Sequence, residues 1–225
     1  MKFKALLLDL DGTLLDTAPD MVGALNLLLE THNRPAVNYQ SASKLVSKGA
    51  LALVKYGFGE DLEDKELDSL RKEFLDTYEQ NVCIKTKAYD GMMEILNWCE
   101  QNNIYWGIVT NKPDYLAKPI LDTLNLTERS AVNVGGTTLS VNKPHPAPLL
   151  HCTTLLSIAP SDCLYVGDDE RDIQAGRAAG MDTAVAGWGY IHEDLNPEDW
   201  QPDFICNQPE GLFRLVKDLS KKNAL

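Results

Sequence analysis

Short apolar runs recur along the chain, separated by stretches in which apolar residues follow a helical spacing. Apolar runs without alternation are typical of strands that are buried on both faces of a parallel sheet. The first run extends from Phe3 to Leu8. Further strands are predicted at Ile104–Thr110, Cys163–Val166 and Thr183–Ala186, with weaker candidates at Ala131–Val134 and Phe204–Cys206.

Helical patterns lie between these runs, at Met92–Gln101, Tyr115–Leu124, Ala147–Leu156, Ile173–Ala179 and Glu210–Leu219. Strands that alternate with helices form parallel sheets, because each parallel connection must carry the chain back to the starting edge. The pattern therefore predicts an α/β fold with a doubly wound parallel sheet and helices on both faces.

The segment between residues 17 and 85 has a different pattern. It contains helical spacing at Met21–Leu29, Leu45–Tyr56 and Leu67–Tyr78, and no strand pattern. Its second half is acidic, which indicates a solvated helical face. We therefore predict a small all-helical domain at residues 17–85, inserted after the first strand of a core formed by residues 1–16 and 86–225.

The size and charge of the chain narrow its class. A chain of 225 residues accommodates one core domain and a smaller one. The net charge of −12 argues against nucleic acid and anionic membranes as partners, since both attract basic surfaces. The five cysteines are scattered without a Cys-x-x-Cys pair, which favours reduced thiols and a cytoplasmic protein. These features do not predict an oligomeric state.

Two carboxylates follow the first predicted strand directly. Asp9 and Asp11 flank Leu10 and precede Gly12, a residue typical of turns. In open α/β sheets, ligands bind beyond the carboxyl ends of the strands, so both carboxylates are candidates for a site. On its own, the same pattern fits a strand that simply ends at an acidic turn.

Further polar residues occur at the ends of other predicted strands. They are Thr110, Asn111, Lys143, Asp168, Asp169 and Asp172. Each has an ordinary structural explanation, such as a helix cap, a surface lysine or an acid at a helix N-terminus. Their occurrence together at the ends of strands of one sheet favours a shared site.

The order of these residues resembles the haloacid dehalogenase superfamily of phosphatases. The matching motifs are Asp9-x-Asp11-Gly12-Thr13, then Thr110, then Lys143, then Gly167-Asp168-x-x-x-Asp172. The helical insertion is similar to the cap domain of the subfamily that includes phosphoglycolate phosphatases. The resemblance spans essentially the whole chain and implies a Mg²⁺-dependent phosphatase that acts on a small phosphorylated metabolite.

The resemblance also implies roles for individual residues. Asp9 is expected to be the nucleophile that becomes phosphorylated, and Asp11 the general acid and base. Thr110 and Lys143 are expected to hold the transferred phosphoryl group, with Asn111 beside them at the substrate.

A metal site is implied in the same way. Asp9 and Asp168 are the expected side-chain ligands of Mg²⁺, together with the backbone carbonyl of Asp11. Asp172 is expected to orient a metal-bound water or Lys143 from outside the ligand set. An outer role is also expected for Asp169, where the family often has serine or threonine.

The insertion is expected to select the substrate. Lys48 and Gly49, in the segment Ser47-Lys48-Gly49-Ala50, are expected to reach the substrate, with Lys48 facing a carboxylate. The alternative is that Lys48 is a surface lysine beside a turn glycine. His192 and Trp200 are candidates for the cavity entrance, although a turn residue and a packing aromatic are the more ordinary explanations.

Several segments resemble bacterial members of the family that act on N-acetylmuramic acid 6-phosphate. These segments are Trp106–Pro113, Glu128–Val132 and Gly189–Trp200. The resemblance favours that sugar phosphate as substrate. The alternatives are 2-phosphoglycolate, which also carries a carboxylate, or a sugar phosphomutase activity of the same superfamily.

Overall fold

The computed structural model of the chain describes residues 3–221. Its strands are β1 (Ala5–Leu8), β2 (Leu15–Asp16), β3 (Lys87–Ala88), β4 (Tyr105–Val109), β5 (Val132–Val134), β6 (Cys163–Gly167), β7 (Asp182–Ala186) and β8 (Phe204–Cys206). Its α-helices are α1 (Ala18–Thr31), α2 (Tyr39–Ser43), α3 (Ala50–Phe58), α4 (Asp64–Gln80), α5 (Met92–Gln101), α6 (Asp114–Thr123), α7 (Ala147–Leu156), α8 (Glu170–Ala179) and α9 (Pro209–Lys221). Short 3₁₀ turns lie at Val46–Lys48, Pro160–Asp162 and Pro197–Trp200.

Six parallel strands form the central sheet, in the order β5-β4-β1-β6-β7-β8. Each coincides with one of the predicted apolar runs. The chain passes from β1 outward through β4 to β5, then returns to the other side of β1 for β6, β7 and β8. The predicted α/β fold is confirmed. Ligands bind such sheets at the carboxyl ends of the strands where the order reverses, which here are β1, β4 and β6.

Strand β1 is buried on both faces, which explains its uninterrupted apolar sequence. Leu6 and Leu8 belong to one buried cluster with side chains from α5, α6 and α9. Ala5 and Leu7 belong to a second cluster with side chains from α7 and α8. Burying each leucine stabilises the fold by about 2 kcal/mol relative to leaving it exposed.

The register of the sheet aligns the loops that follow its central strands. Leu8 pairs with Ile108 of β4 and with Val166 of β6. The loop residues after each pairing position therefore emerge side by side at one edge. Asp9, Thr110 and Asp168 all lie within two residues of this common level.

The helices α1 to α4 form a separate layer whose connections to the sheet domain run through a small antiparallel pair. Strand β2 leads into α1 and strand β3 follows α4, with Leu15 paired to Ala88. Side chains from α1, α3 and α4 share one buried cluster that includes Leu25, Leu53 and Phe74. The helical layer therefore packs around its own apolar residues, and Leu116 and Tyr190 of the sheet part join the same cluster.

One predicted helix is divided in the structure. The pattern at Leu45–Tyr56 predicts a continuous helix, but a 3₁₀ turn at Val46–Lys48 ends at Gly49 and α3 begins at Ala50. Gly49 has φ 83° and ψ −174°, a backbone conformation that only glycine adopts readily. The helical spacing of the apolar residues continues across this break, so the pattern does not reveal it.

Within residues 3–221, no helix is both long enough and apolar enough to cross a membrane.

Candidate active site

A cavity of about 580 Å³ lies between the carboxyl edge of the sheet and the helical insertion. Its walls include most of the residues that the sequence motifs single out, namely Asp9, Asp11, Lys48, Gly49, Thr110, Asn111, Lys143, Asp169 and Asp172. Asp168 lies beside this group, in contact range of Asp9 and Asp172. The structure therefore gathers the predicted site residues, although they come from distant parts of the chain.

Three buried carboxylates lie together at the base of the cavity. Each of Asp9, Asp168 and Asp172 offers an oxygen, and these oxygens lie within 4.8 Å of one another. Burial raises the pKa of Asp9 to about 7, against the attraction of Lys143. Burial, and then the charges of Asp9 and Asp172, raise the pKa of Asp168 well above its usual range. The fold concentrates more negative charge here than its own cations neutralise.

Lys143 is the cation within this cluster. Its Nζ atom lies 2.9 Å from Asp9 Oδ1 and 2.7 Å from Asp172 Oδ1. It also donates to the hydroxyl of Tyr165 at 2.8 Å and to the carbonyl of Val109 at 3.0 Å. Burial alone would lower the pKa of Lys143, but Asp172 and Asp9 outweigh it and the pKa is raised. Lys143 is therefore charged and held between the two carboxylates.

Asn111 supports Lys143 through the backbone. Its side-chain amide donates to the carbonyl of Lys143 at 2.9 Å, and its carbonyl accepts from the Lys143 N–H at 3.0 Å. Nearby, the hydroxyl oxygen of buried Thr110 accepts from the Lys112 N–H at 3.1 Å. The amide of Asn111 is thus occupied in fixing the loop that carries Lys143.

Asp11 is paired with a cation that sequence reasoning left without a role. Asp11 Oδ1 accepts from Thr17 Oγ1 at 2.5 Å and from Lys112 Nζ at 2.9 Å. The Lys112 ammonium also lies 4.7 Å from the ring centroid of Tyr78, in α4. Burial opposes the charge of Lys112, but Asp11 and Tyr78 outweigh it and raise the pKa. Lys112 therefore joins Asp11 to the helical insertion.

Asp169 and Asp172 cap the N-terminus of helix α8. Asp169 is the N-cap residue, and Asp172 Oδ2 accepts from the Asp169 N–H at 3.1 Å. Asp169 Oδ1 also accepts from Arg171 Nε at 2.8 Å. Burial would raise the pKa of Asp169, but the hydrogen bonds and charge of Arg171 lower it overall. Asp169 therefore shapes the loop and binds Arg171.

Asp168 is approached by three other segments of the chain, and two of them donate hydrogen bonds to it. Asp168 Oδ2 accepts from Ser47 Oγ at 2.7 Å and from the Tyr190 N–H at 2.8 Å. Gly12, with φ 79°, approaches it so closely that a Cβ atom would lie 2.2 Å from Asp168 Oδ2. Any larger residue at position 12 would displace this carboxylate, so the glycine of the first motif is a steric requirement.

The helical insertion contributes two further cations. Lys48 lines the cavity from the turn before α3, and Arg71 lines it from α4. Within residues 3–221, neither side chain forms a hydrogen bond or ion pair, whereas the side chains of Lys112, Lys143 and Arg171 all bind carboxylates. Sequence reasoning missed Arg71 because the acidic stretch around it was interpreted as a solvated face.

The two candidate entrance residues lie outside this cavity. His192 is in an exposed turn and its ring lies 3.2 Å from Asp194. Trp200 is 7% exposed and packs in a buried cluster with Ile173 and Val185. Both line a smaller neighbouring recess instead.

The carboxylate cluster matches the ligand preferences of a hard divalent cation. Asp9, Asp168 and Asp172 offer only oxygen donors, and their mutual repulsion would be relieved by a bound cation. Oxygen-only sites of this kind suit Mg²⁺ better than metals that prefer nitrogen or sulfur. The residues present therefore fit such an ion.

Residues 6–186 match the protein family described as haloacid dehalogenase-like hydrolase. A protein of Pseudomonas aeruginosa, named N-acetylmuramic acid 6-phosphate phosphatase, is 43% identical over 216 residues, which cover 96% of each chain. A phosphoglycolate phosphatase of Xylella fastidiosa is 44% identical over 211 residues, which cover 94% of this chain and 92% of that one.

The fold is also similar to a solved structure. The crystal structure of a protein from Haemophilus somnus, described as a predicted phosphoglycolate phosphatase, superimposes with a TM-score of 0.84. The two sequences are 26% identical, and the match covers 96% of this chain and 99% of that one. The similarity therefore includes the helical insertion as well as the sheet.

Proposed function

The chain belongs to the haloacid dehalogenase-like hydrolase family and is a phosphatase, and from this premise we propose that it hydrolyses a small phosphomonoester through a phosphorylated Asp9, with Mg²⁺ as cofactor. The observation that carries the proposal is the cluster of Asp9, Asp168 and Asp172, with Lys143 paired to Asp9 and Asp172 and with Asp11 on the same cavity. This arrangement provides a nucleophile, a proton donor and a cation site at one point.

Asp9 is the proposed nucleophile. Its Oδ1 atom is fixed by the Leu10 N–H at 2.7 Å and by Lys143 at 2.9 Å. An oxygen of Asp9 attacks phosphorus and the bond to the leaving alkoxide breaks, while Asp11 gives that alkoxide a proton. Asp11, now a carboxylate, then takes a proton from the water that attacks the phosphorylated Asp9, which releases inorganic phosphate and restores the Asp9 carboxylate and the proton on Asp11.

Lys143 and Thr110 are proposed to hold the phosphoryl oxygens. Lys143 supplies a positive charge where negative charge develops, and Asp172 and the Asn111 clamp keep it in place. We propose that Lys112 positions Asp11 for proton transfer, since it lies 2.9 Å from the same carboxylate.

Asp9 and Asp168 are proposed to hold Mg²⁺, with the backbone carbonyl of Asp11. Asp172 lies next to them, is engaged by Lys143, and is proposed to orient a metal-bound water. Two unit charges 4 Å apart repel by about 4 kcal/mol at an effective dielectric of 20, and a bound divalent cation removes this repulsion between Asp9 and a phosphate.

We propose that residues 17–85 act as a cap over a core formed by residues 1–16 and 86–225. The buried cluster shared by α1, α3 and α4 supports a separate unit, and the β2–β3 pair lies at both of its connections. A cap that closes over the cavity excludes water from the phosphoryl transfer.

N-acetylmuramic acid 6-phosphate is the proposed substrate. A cavity of about 580 Å³ is large for 2-phosphoglycolate but suits a substituted sugar. Met21, Leu51 and Leu75 provide apolar wall for a sugar ring, whereas Lys48 and Arg71 provide positive charge for the carboxylate that both candidate substrates carry. The relative from Pseudomonas aeruginosa is named for this substrate, whereas the one from Xylella fastidiosa is named for 2-phosphoglycolate, which is therefore the second candidate.

The test is a comparison of phosphate release from both substrates, with and without Mg²⁺. We expect kcat/KM for N-acetylmuramic acid 6-phosphate to exceed that for 2-phosphoglycolate by at least about tenfold, because each lost buried contact reduces transition-state binding by one or more kcal/mol. Removal of Mg²⁺ with EDTA should abolish release, and added Mg²⁺ should restore it. Arg71→Gln should lower kcat/KM for both substrates, because both carry a carboxylate, while Arg214→Gln, at an exposed position on α9, should leave both values unchanged.

The opposite preference would make 2-phosphoglycolate the substrate. Release of phosphate without a sugar bisphosphate activator would exclude a phosphomutase. Full activity after complete removal of divalent cations would contradict the metal assignment.

A further inference from the structure

Ser47, in the turn of the helical insertion, contacts the core at two points. Its hydroxyl donates to Asp168 Oδ2 at 2.7 Å, and its carbonyl accepts from Arg171 Nη2 at 2.5 Å. The two core residues lie 121 and 124 positions later in the chain. These bonds join the insertion directly to the loop that carries the proposed metal ligand.

The guanidinium of Arg171 is itself held in place. Its Nε atom donates to Asp169 Oδ1 at 2.8 Å and its Nη2 atom to Asp169 Oδ2 at 3.2 Å. The side chain of Asp169 is only 19% exposed and is fixed as the N-cap of α8. A fork-to-fork arginine–carboxylate pair fixes orientation as well as distance. The donor aimed at the Ser47 carbonyl is therefore preorganised.

This contact forms a wall between two spaces. Ser47, Lys48, Asp169 and Arg171 line both the large cavity and a neighbouring recess of about 320 Å³. The recess is also lined by Asp168 and by the exposed residue His192. Displacing the Ser47 turn would join the two spaces and extend the recess to Asp9, which lines only the large cavity.

We propose that Arg171 is a positioning residue that fastens the Ser47 turn in the closed state. In this state Lys48 is held at the cavity, and the turn lies between the recess and the side chains of Asp9 and Lys143, which line only the cavity. Loss of the bond from Arg171 to Ser47 would free the turn. Substrate binding would then have to order the turn, and the entropy lost in that ordering would weaken binding. The kinetic part of this inference rests on the proposed function, whereas its structural part does not.

The test combines hydrogen–deuterium exchange with kinetics on Arg171→Gln and Arg171→Lys. The amides of Lys48 and Gly49 donate within the turn, to Leu45 and Val46, and report its opening. Arg177→Gln is the matched control, because Arg177 lies on the same helix and its guanidinium donates to the exposed side chain of Gln201, away from the turn.

We expect Arg171→Gln to speed exchange at residues 45–50 by about tenfold or more, with α8 unchanged. KM for N-acetylmuramic acid 6-phosphate should rise by about tenfold while kcat changes by less than about threefold. Arg171→Lys should give intermediate values, because a single ammonium keeps the charge but cannot bind Asp169 and Ser47 as a fork. Arg177→Gln should match the wild type in both measurements.

Unchanged exchange in the turn would overturn the proposal. So would equally faster exchange throughout α8, which would show a general structural role, or an unchanged KM despite an opened turn. If Arg171→Gln does not fold, the comparison between Arg171→Lys and the wild type decides the question. Absence of phosphatase activity in the wild type would refute the proposed function and leave the exchange result to decide whether the contact holds the turn.

Discussion

At the scale of single residues, Asp9 is the carboxylate on which the proposed chemistry depends. It is buried, and its oxygen lies 2.9 Å from Lys143. We predict that Asp9→Asn lowers kcat by about 10⁴-fold or more, because an amide cannot accept the phosphoryl group. Release of inorganic phosphate at saturating substrate and Mg²⁺ measures the effect.

Thermal unfolding separates this loss from a loss of structure. The substitution removes one of three mutually repelling buried carboxylates, so Tm of the metal-free variant should equal or exceed that of the wild type. Asp61→Asn, at an exposed position outside the cavity, should leave both activity and Tm unchanged. Near-normal turnover by Asp9→Asn would contradict the assignment of the nucleophile.

The sequence predicts single residues well where they directly follow a strand. Asp9, Thr110 and Asp168 lie within two residues of aligned positions in β1, β4 and β6, so their proximity follows from the strand pattern. Lys112 and Arg71 reach the same cavity from a loop and from a helix of the insertion. No repeating sequence pattern indicates where a loop side chain points or how the helical layer packs on the sheet. The sequence therefore does not predict that Lys112 and Arg71 reach the cavity.

At the scale of elements, the turn before α3 depends on the backbone of Gly49. Its φ of 83° with an extended ψ is unfavourable for any residue with a side chain. We predict that Gly49→Ala lowers the free energy of unfolding by about 1–3 kcal/mol. Nothing lies within 4 Å of the added Cβ atom, so the effect comes from backbone strain rather than from a clash.

Gly23 provides a control for this substitution. It lies inside α1, and a Cβ atom there would also meet nothing within 4 Å. Because alanine is the better helix former, Gly23→Ala should raise the free energy of unfolding by about 0.5–1 kcal/mol. Urea unfolding of Gly49→Ala and Gly23→Ala measures the two changes in the free energy of unfolding. A neutral or stabilising Gly49→Ala would contradict the strained conformation of the turn.

The sequence predicts helices and strands where burial alone determines the order of apolar and polar residues. The strands are apolar on both faces because helices cover the sheet on both sides, so they remain visible without any knowledge of the fold. The sequence pattern predicts one helix across the turn and α3, because the helical spacing of apolar residues continues through Gly49. The pair β2–β3 is only two residues long on each side and carries no pattern of its own.

At the scale of the whole molecule, buried cysteines lie on both faces of the sheet. Burial raises the pKa of Cys99 to about 12 and of Cys206 to about 11 in one cluster. On the opposite face of the sheet, burial raises the pKa of Cys152 and of Cys163 to about 12. Because the thiolate is the reactive form, these four thiols should react only when the core opens.

We predict that one thiol per native chain reacts with a disulfide reagent at pH 8, and that it is the partly exposed Cys83. Burial and the charge of Asp20 raise its pKa, so its reaction rate should increase about tenfold from pH 7 to pH 8 as the thiolate fraction grows. Cys83→Ser should abolish this phase, and urea should expose the remaining four. Rapid reaction of more than one native thiol would contradict the packing of the core.

The antiparallel pair formed by β2 and β3 has a consequence for how this architecture can diversify. Since Asp16 lies opposite Lys87, the helical layer leaves and rejoins the main body at neighbouring points. A graft of another length or shape at this junction need not alter the alignment of β1, β4 and β6. Under the proposed function, exchange of the whole module would change the leaving-group preference without moving the strand ends that precede Asp9, Thr110 and Asp168.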